Sequence, residues 1–113
     1  MEKLFSFRKY NRLKRKVDFE NVFRNGKVYK TKTYKFYYIP STLSQNRLAI
    51  MISRKICKSV LRNREKRIIR EFFRKAKVEF ANNYDIVVQV IKLNENKVEK
   101  INELNNFFNI LVR

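Results

Sequence analysis

The segment from about Lys58 to Phe80 leaves this chain few ways to fold. At about 100° per residue, Leu61, Ile68, Ile69, Phe72 and Ala76 gather in one arc, while Asn63, Lys66, Arg67, Arg70, Arg74 and Lys77 occupy a second. A helix patterned this way lays the first arc on a core. The second then becomes a nearly unbroken positive ridge of about four turns, roughly 20 Å long. A charge run is often no more than a solvated face, but the carboxylates of this segment are only Glu65, Glu71 and Glu79, too few to lace the ridge with i,i+4 pairs. Arg54, Lys55 and Lys58 lengthen it upstream. Such a surface suits the phosphate spacing of a folded nucleic acid, and arginine is the better residue where two-pronged phosphate contacts are needed.

The whole chain shares this bias. Its 28 Lys and Arg stand against 10 Asp and Glu, for a net charge of +18 over 113 residues. Self-repulsion on that scale opposes compaction, so a polyanionic partner is the economical explanation. With 44% hydrophobic and 14% aromatic residues the chain is too apolar for a disordered tail, and its length is that of a single domain spanning residues 1–113. There is no His, so imidazole catalysis, a His-ligated metal and a Ser-His-Asp triad are excluded. The single Cys, Cys57, excludes an internal disulfide and a zinc knuckle and reads as a small apolar filler rather than a reactive thiol. Asp18 and Asp85 are the only Asp residues, and the single Gly leaves no glycine-rich phosphate loop. Without an apolar run long enough for a membrane span or a signal peptide, a cytoplasmic protein with no membrane partner is expected.

The remaining segments supply a frame for the ridge. Residues 1–16 form a basic arm whose Phe5, Phe7 and Tyr10 either tuck against the body or stack on bases. Phe19, Val22 and Phe23 share one face of a short helix that Asn25-Gly26 stops, with Gly26 free to take a positive φ. A short strand over Val28–Thr31 is followed by YKFYYI at Tyr34–Ile39, where alternation puts Tyr34, Phe36 and Tyr38 on one face and Lys35, Tyr37 and Ile39 on the other. Arg47–Ser53 is a further strand, with a hairpin loop around Ser44–Asn46. Tyr84–Ile91 reads as a buried strand. Val98, Ile101, Leu104, Phe108 and Leu111 trace a closing helix, capped by Asn96 with Glu99 reaching back. The order is α-β-β-β-α-β-α, a small α+β sandwich of helices on a mostly antiparallel sheet.

The stretch ISRKICKSVLRNREKRIIREFF, Ile52 to Phe73, closely resembles the protein subunit of bacterial ribonuclease P. That family carries a Ser-Lys/Arg-Lys strand end followed by an Arg-Asn-Arg-x-Lys-Arg-x-x-Arg helix. The matching residues are Ser53-Arg54-Lys55 and Arg62-Asn63-Arg64-Glu65-Lys66-Arg67-Ile68-Ile69-Arg70. Arg12-Leu13, the Asp18-to-Gly26 helix, the Phe36 strand and the Tyr84–Val88 strand agree as well, so the resemblance runs from about Arg12 to Val88. Cys57 stands where the family usually has Gly, and Gln89-Val90-Ile91 follows where it often has Ala-Arg.

The resemblance implies a fold like that of a ribosomal protein S5 domain, with a left-handed β-α-β crossover through the basic helix. It implies the protein cofactor of an RNA enzyme that removes the 5′ leader of precursor tRNA by Mg²⁺-dependent phosphodiester hydrolysis. In that endoribonuclease the RNA does the chemistry and requires the Mg²⁺, while the protein holds no cofactor, contributes no catalytic side chain and takes no small-molecule substrate. Carried over residue by residue, Arg12, Arg54, Lys55, Lys58, Arg62, Asn63, Arg64, Arg67 and Arg70 are expected to contact the catalytic RNA. Phe19, Phe23, Tyr37 and Ile39, with Lys66 at the edge, are expected to line a groove for the precursor's single-stranded leader. The other reading is a ribosomal or RNA-chaperone protein without an associated reaction, which explains the charge and aromatics but not the ordered motifs.

Overall fold

A computed structural model describes residues 12–112. The Phe5, Phe7 and Tyr10 side chains, and most of the basic arm, lie outside these residues. The described elements are α1 (Lys16–Asn25), β1 (Lys27–Lys30), β2 (Tyr34–Pro40), β3 (Arg47–Ile52), α2 (Ser59–Ala76), β4 (Tyr84–Val90) and α3 (Lys97–Leu111). This is the expected α-β-β-β-α-β-α order.

The strands lie in the order β1-β2-β4-β3. β1 pairs antiparallel with β2 and β2 with β4, whereas β3 runs parallel to β4. The hairpin expected around Ser44–Asn46 is therefore absent, because β4 inserts between β2 and β3. The apolar run of β4 explains its central place: Asp85 to Val88 are all buried, and only a strand flanked by two neighbours and covered on both faces hides such a run. β3 and β4, joined through α2, make the parallel crossover unit.

Alternation along β2 sorts the core as the sequence predicts. Tyr34, Phe36 and Tyr38 face α2 and α3 with Leu48, Ile86 and Val88, over Ile69, Phe73, Leu104, Phe107 and Phe108. The Phe36 and Phe107 rings stack with centroids 4.0 Å apart. On the opposite face Tyr37, Ile39, Ala49 and Val87 pack against Phe19 and Val22 of α1 and against Leu13. Phe73 and Phe107 are core positions outside the arcs traced from sequence, and Val98, assigned to the apolar stripe of α3, is 68% exposed. Val98 sits in the first turn of α3, ahead of the stretch that reaches the sheet.

Two helix ends differ in detail from expectation. Gly26 has φ −82°, so no positive φ is used. Glycine is needed there for proximity: a Cβ would lie 2.4 Å from the Val22 carbonyl oxygen and 2.7 Å from that of Tyr38, where α1 turns onto β2. Asn96 does cap α3, accepting the Glu99 N–H at 3.0 Å. The Glu99 carboxylate does not reach back; it accepts from Asn94 Nδ2 at 2.7 Å and pairs with Lys32 at 3.1 Å. Those contacts hold its carboxyl below the usual carboxylate range.

Candidate nucleic-acid interface

The ridge of α2 is left cationic because partners take up its two carboxylates. Glu65 is buried and receives Lys100 Nζ of α3 at 2.9 Å, both side chains less than a tenth exposed. Glu71 is taken by Arg74 one turn on. Among the described residues, no carboxylate lies in ion-pair reach of Arg54, Lys55, Lys58, Arg64, Lys66 or Arg67. Arg54 and Lys55 occupy the exposed turn after β3, where Ser53 Oγ accepts the Lys55 N–H at 3.1 Å, and Lys58 directly precedes α2.

The nine residues expected to form one RNA-binding set do not share one face. Asn63, Arg64 and Arg67 are exposed, but Arg62 turns inward and donates from Nη1 to the Cys57 carbonyl at 3.0 Å, holding the chain where it enters the helix. Cys57 itself is buried. Arg64 lies on the flank towards α3. Arg70 and Lys66 lie on the flank towards β3, with Arg12 beyond them. Arg70 is half-buried, and desolvation together with the nearby Arg12 and Arg67 charges lowers its pKa from the ordinary value. Crowded cations of this kind are stabilised by an incoming anion. At the far end of the ridge Arg74 is engaged by Glu71, and Lys77 lies 5.6 Å from the centre of the Phe73 ring. Burial first, and the Arg74 charge second, lower the Lys77 pKa.

The aromatic surface stands on the other side of the sheet. Phe23, 42% exposed, meets Tyr37 edge-on with centroids 4.7 Å apart, and Phe19 stacks on Phe23 at 6.3 Å. Ile39 belongs to the same cluster. The Tyr37 hydroxyl donates to Gln89 Oε1 at 3.3 Å, and Lys35 Nζ lies 5.2 Å from the Tyr37 ring centre. Gln89, at the strand end where the family pattern departs, thus orients Tyr37.

Lys66 comes from α2 and passes the edge of β3, where it lines one opening with Phe19 and a second with Gln89, the residue that holds the Tyr37 hydroxyl. Phe19, Ala49, Lys66, Arg70, Arg12 and Lys14 line a crevice of about 250 Å³ at that edge. Arg12 forms a parallel bridge to Leu48, and the Leu13 N–H donates to the Leu48 carbonyl at 3.0 Å, so the arm enters as a short extension of the sheet.

One support was invisible to sequence reasoning. Arg47 of β3 forks onto Asp85 of β4 at 2.9 and 2.8 Å and reaches Asp18 of α1 at 3.1 Å. The bond to Asp85, ahead of the opposing cost of burial, raises its pKa above the usual arginine value. The cluster pins the helix carrying Phe19 and Phe23 to the sheet.

Known proteins share this fold. Residues 7–112 match the Ribonuclease P family. The ribonuclease P protein component of Petrotoga mobilis is 39% identical over 82 residues, 73% of this chain and 70% of that protein. That of Caldanaerobacter subterraneus is 39% identical over 79 residues, 70% and 68% of the two. Among solved structures, a Staphylococcus aureus RNase P protein mutant with defective mRNA degradation activity superposes with a TM-score of 0.79 at 27% identity, covering 90% of this chain and 88% of that one. The Thermotoga maritima RNase P protein gives 0.68 at 27% identity, covering 88% and 94%. The chain belongs to the ribonuclease P family. Its place there is that of the protein component, a subunit of a ribonucleoprotein in tRNA 5′-end processing. No described helix is long and apolar enough to cross a membrane.

Proposed function

We propose that this protein binds the catalytic RNA of ribonuclease P through the α2 ridge and the precursor tRNA leader through the α1 face, in the cytoplasm. The crevice between Phe19 and the Lys66–Arg70 flank carries the reading, because it joins the two surfaces at one edge of the sheet. Arg54, Lys55, Lys58, Asn63, Arg64 and Arg67 offer donors to phosphates. Arg62 shapes the helix entry and adds charge behind them. Phe19, Phe23 and Tyr37, with Ile39 beside them, give unstacked leader bases an aromatic floor, the usual means of holding single-stranded RNA; Lys66 at the edge receives the leader backbone, and Arg70 and Arg12 add to the contacts with the catalytic RNA.

The chemistry, hydrolysis giving a 5′-phosphate on the mature tRNA, belongs to the RNA and its Mg²⁺. The buried carboxylates among the described residues are committed elsewhere: Asp85 to Arg47, together with half-buried Asp18, Glu65 to Lys100, and Glu103 to the Thr33 N–H and hydroxyl at 2.9 and 2.8 Å. Its contribution is to neutralise phosphates so that substrate and Mg²⁺ approach closely.

Two substitutions separate the surfaces. Arg67→Ala should weaken binding to the catalytic RNA and reduce the slope of log K against log salt by about one. Tyr37→Ala should leave that assembly nearly intact and cost about 1–3 kcal/mol in affinity of the holoenzyme for precursor tRNA, with mature tRNA unaffected. An equal loss for precursor and mature tRNA would assign Tyr37 to the protein core and remove the leader groove.

A further inference from the structure

The α2 flank that carries Arg64 borders a second opening, between α2 and the start of α3, of about 450 Å³. Leu61, Ile68 and Leu93 form its apolar floor, and Arg64, Arg67 and Lys97 stand on its rim. Leu61 and Leu93 are half-exposed and belong to neither core cluster. The three rim cations are exposed and have no carboxylate in ion-pair reach among the described residues. Of the lining carboxylates, Glu65 is held by Lys100, and Glu95 is left at the rim.

The wall is fixed in advance. Asn94 Nδ2 donates to Thr33 Oγ1 at 2.8 Å and to Glu99 at 2.7 Å, while its Oδ1 accepts the Asn96 N–H at 2.8 Å. That loop is braced against the turn between β1 and β2, and the buried Lys100–Glu65 bond ties α3 to α2 beneath the floor. A braced apolar hollow with a few converging polar groups is the general form of a small-ligand site.

We propose that this cleft takes a single unstacked nucleotide of the RNA bound along α2, its base on Leu61, Ile68 and Leu93 and its phosphate between Arg64 and Lys97. The inference rests on the RNA reading of the ridge, because Arg67 at the crest borders the cleft. A bare phosphate would satisfy the rim but leave the leucines in water; a nucleotide covers both. Glu95 is then an acceptor for a base amino group. The helix is thus gripped on two flanks, with Lys66 and Arg70 on one and this cleft on the other.

The test uses full-length protein and the catalytic RNA, with Lys97→Gln, Leu93→Ser and Arg67→Ala compared after circular dichroism confirms native folding. Lys97→Gln should lower the salt slope by about one. Leu93→Ser should leave the slope unchanged and weaken binding about fivefold, the loss expected when roughly 40 Å² of apolar contact goes. Chemical probing of the RNA should show one nucleotide protected by the wild-type protein and released by both Lys97→Gln and Leu93→Ser. A slope change in Lys97→Gln with no effect of Leu93→Ser would reduce the cleft to a phosphate contact and overturn nucleotide insertion. If Arg67→Ala weakens binding while both cleft variants bind as wild type, the cleft is not a site and the ridge reading stands. If none of the three weakens binding, the ridge reading falls and this inference with it.

Discussion

Replacing Arg47 by Met keeps an unbranched apolar stem and removes the guanidinium from between two carboxylates. Asp85 is then stranded with 6% of its side chain exposed; Asp18 is 18% exposed and retains Arg15 at 3.5 Å. Breaking a buried pair by deleting one partner costs about 3–5 kcal/mol. The partial exposure of Asp18 places this variant at the lower end, about 3 kcal/mol. For a chain of this length, unfolding entropy of roughly 0.24 kcal/mol per degree turns that loss into a fall in melting temperature of about 12 °C. Adding Asp85→Asn removes the stranded charge and should recover roughly half of the loss. Thermal and urea unfolding followed by circular dichroism measure both. A single variant that loses less than about 1 kcal/mol, or a double variant no more stable than the single, would show that charge pairing does not hold α1 to the sheet.

Two further perturbations test other joints. Gly26→Ala places a methyl between two backbone carbonyls, so α1 must lift from β2; a loss of about 2–3 kcal/mol is expected in urea unfolding, and an unchanged midpoint would mean that the helix yields freely. Tyr34→Phe removes a buried hydroxyl without a hydrogen-bond partner, and stability near neutral pH should change by less than about 1 kcal/mol. Burial, with the Glu65 and Glu103 charges, raises the Tyr34 pKa, so the unfolded chain releases that proton first. Stability from this group is therefore complete below about pH 10 and is lost above it; the Phe variant should decline less steeply in alkali, and parallel curves would contradict the assignment.

What could be read from the sequence was local. The 3.6-residue period of α2 placed Ile69, Ile68, Phe72 and Ala76 against the core, and the two-residue period of β2 placed Phe36 and Tyr37 on opposite faces. The motif around Arg62–Arg70 located the basic surface. The sheet order could not be read this way, because a loop of polar residues between β2 and β3 looks the same whether the strands pair or a third lies between them. The Arg47, Asp18 and Asp85 cluster joins three elements separated widely in sequence, and no periodicity reports on it. The pairing of Glu65 with Lys100 was hidden for the same reason: within α2 Glu65 reads as a surface charge, and only α3 makes it a core residue. Arg62 and Arg64 fell into one motif in sequence, yet two residues of helix rotate them about 200° apart, one under the chain and one over the cleft.

Cleavage of a precursor tRNA measured with protein alone, catalytic RNA alone, both and neither tests the function most directly. The protein alone should leave the substrate intact at every Mg²⁺ concentration, and its addition to the RNA should lower the Mg²⁺ needed for release of the 5′ leader. Site-specific cleavage by nuclease-free protein, or an RNA whose Mg²⁺ requirement is the same with and without the protein, would contradict the account.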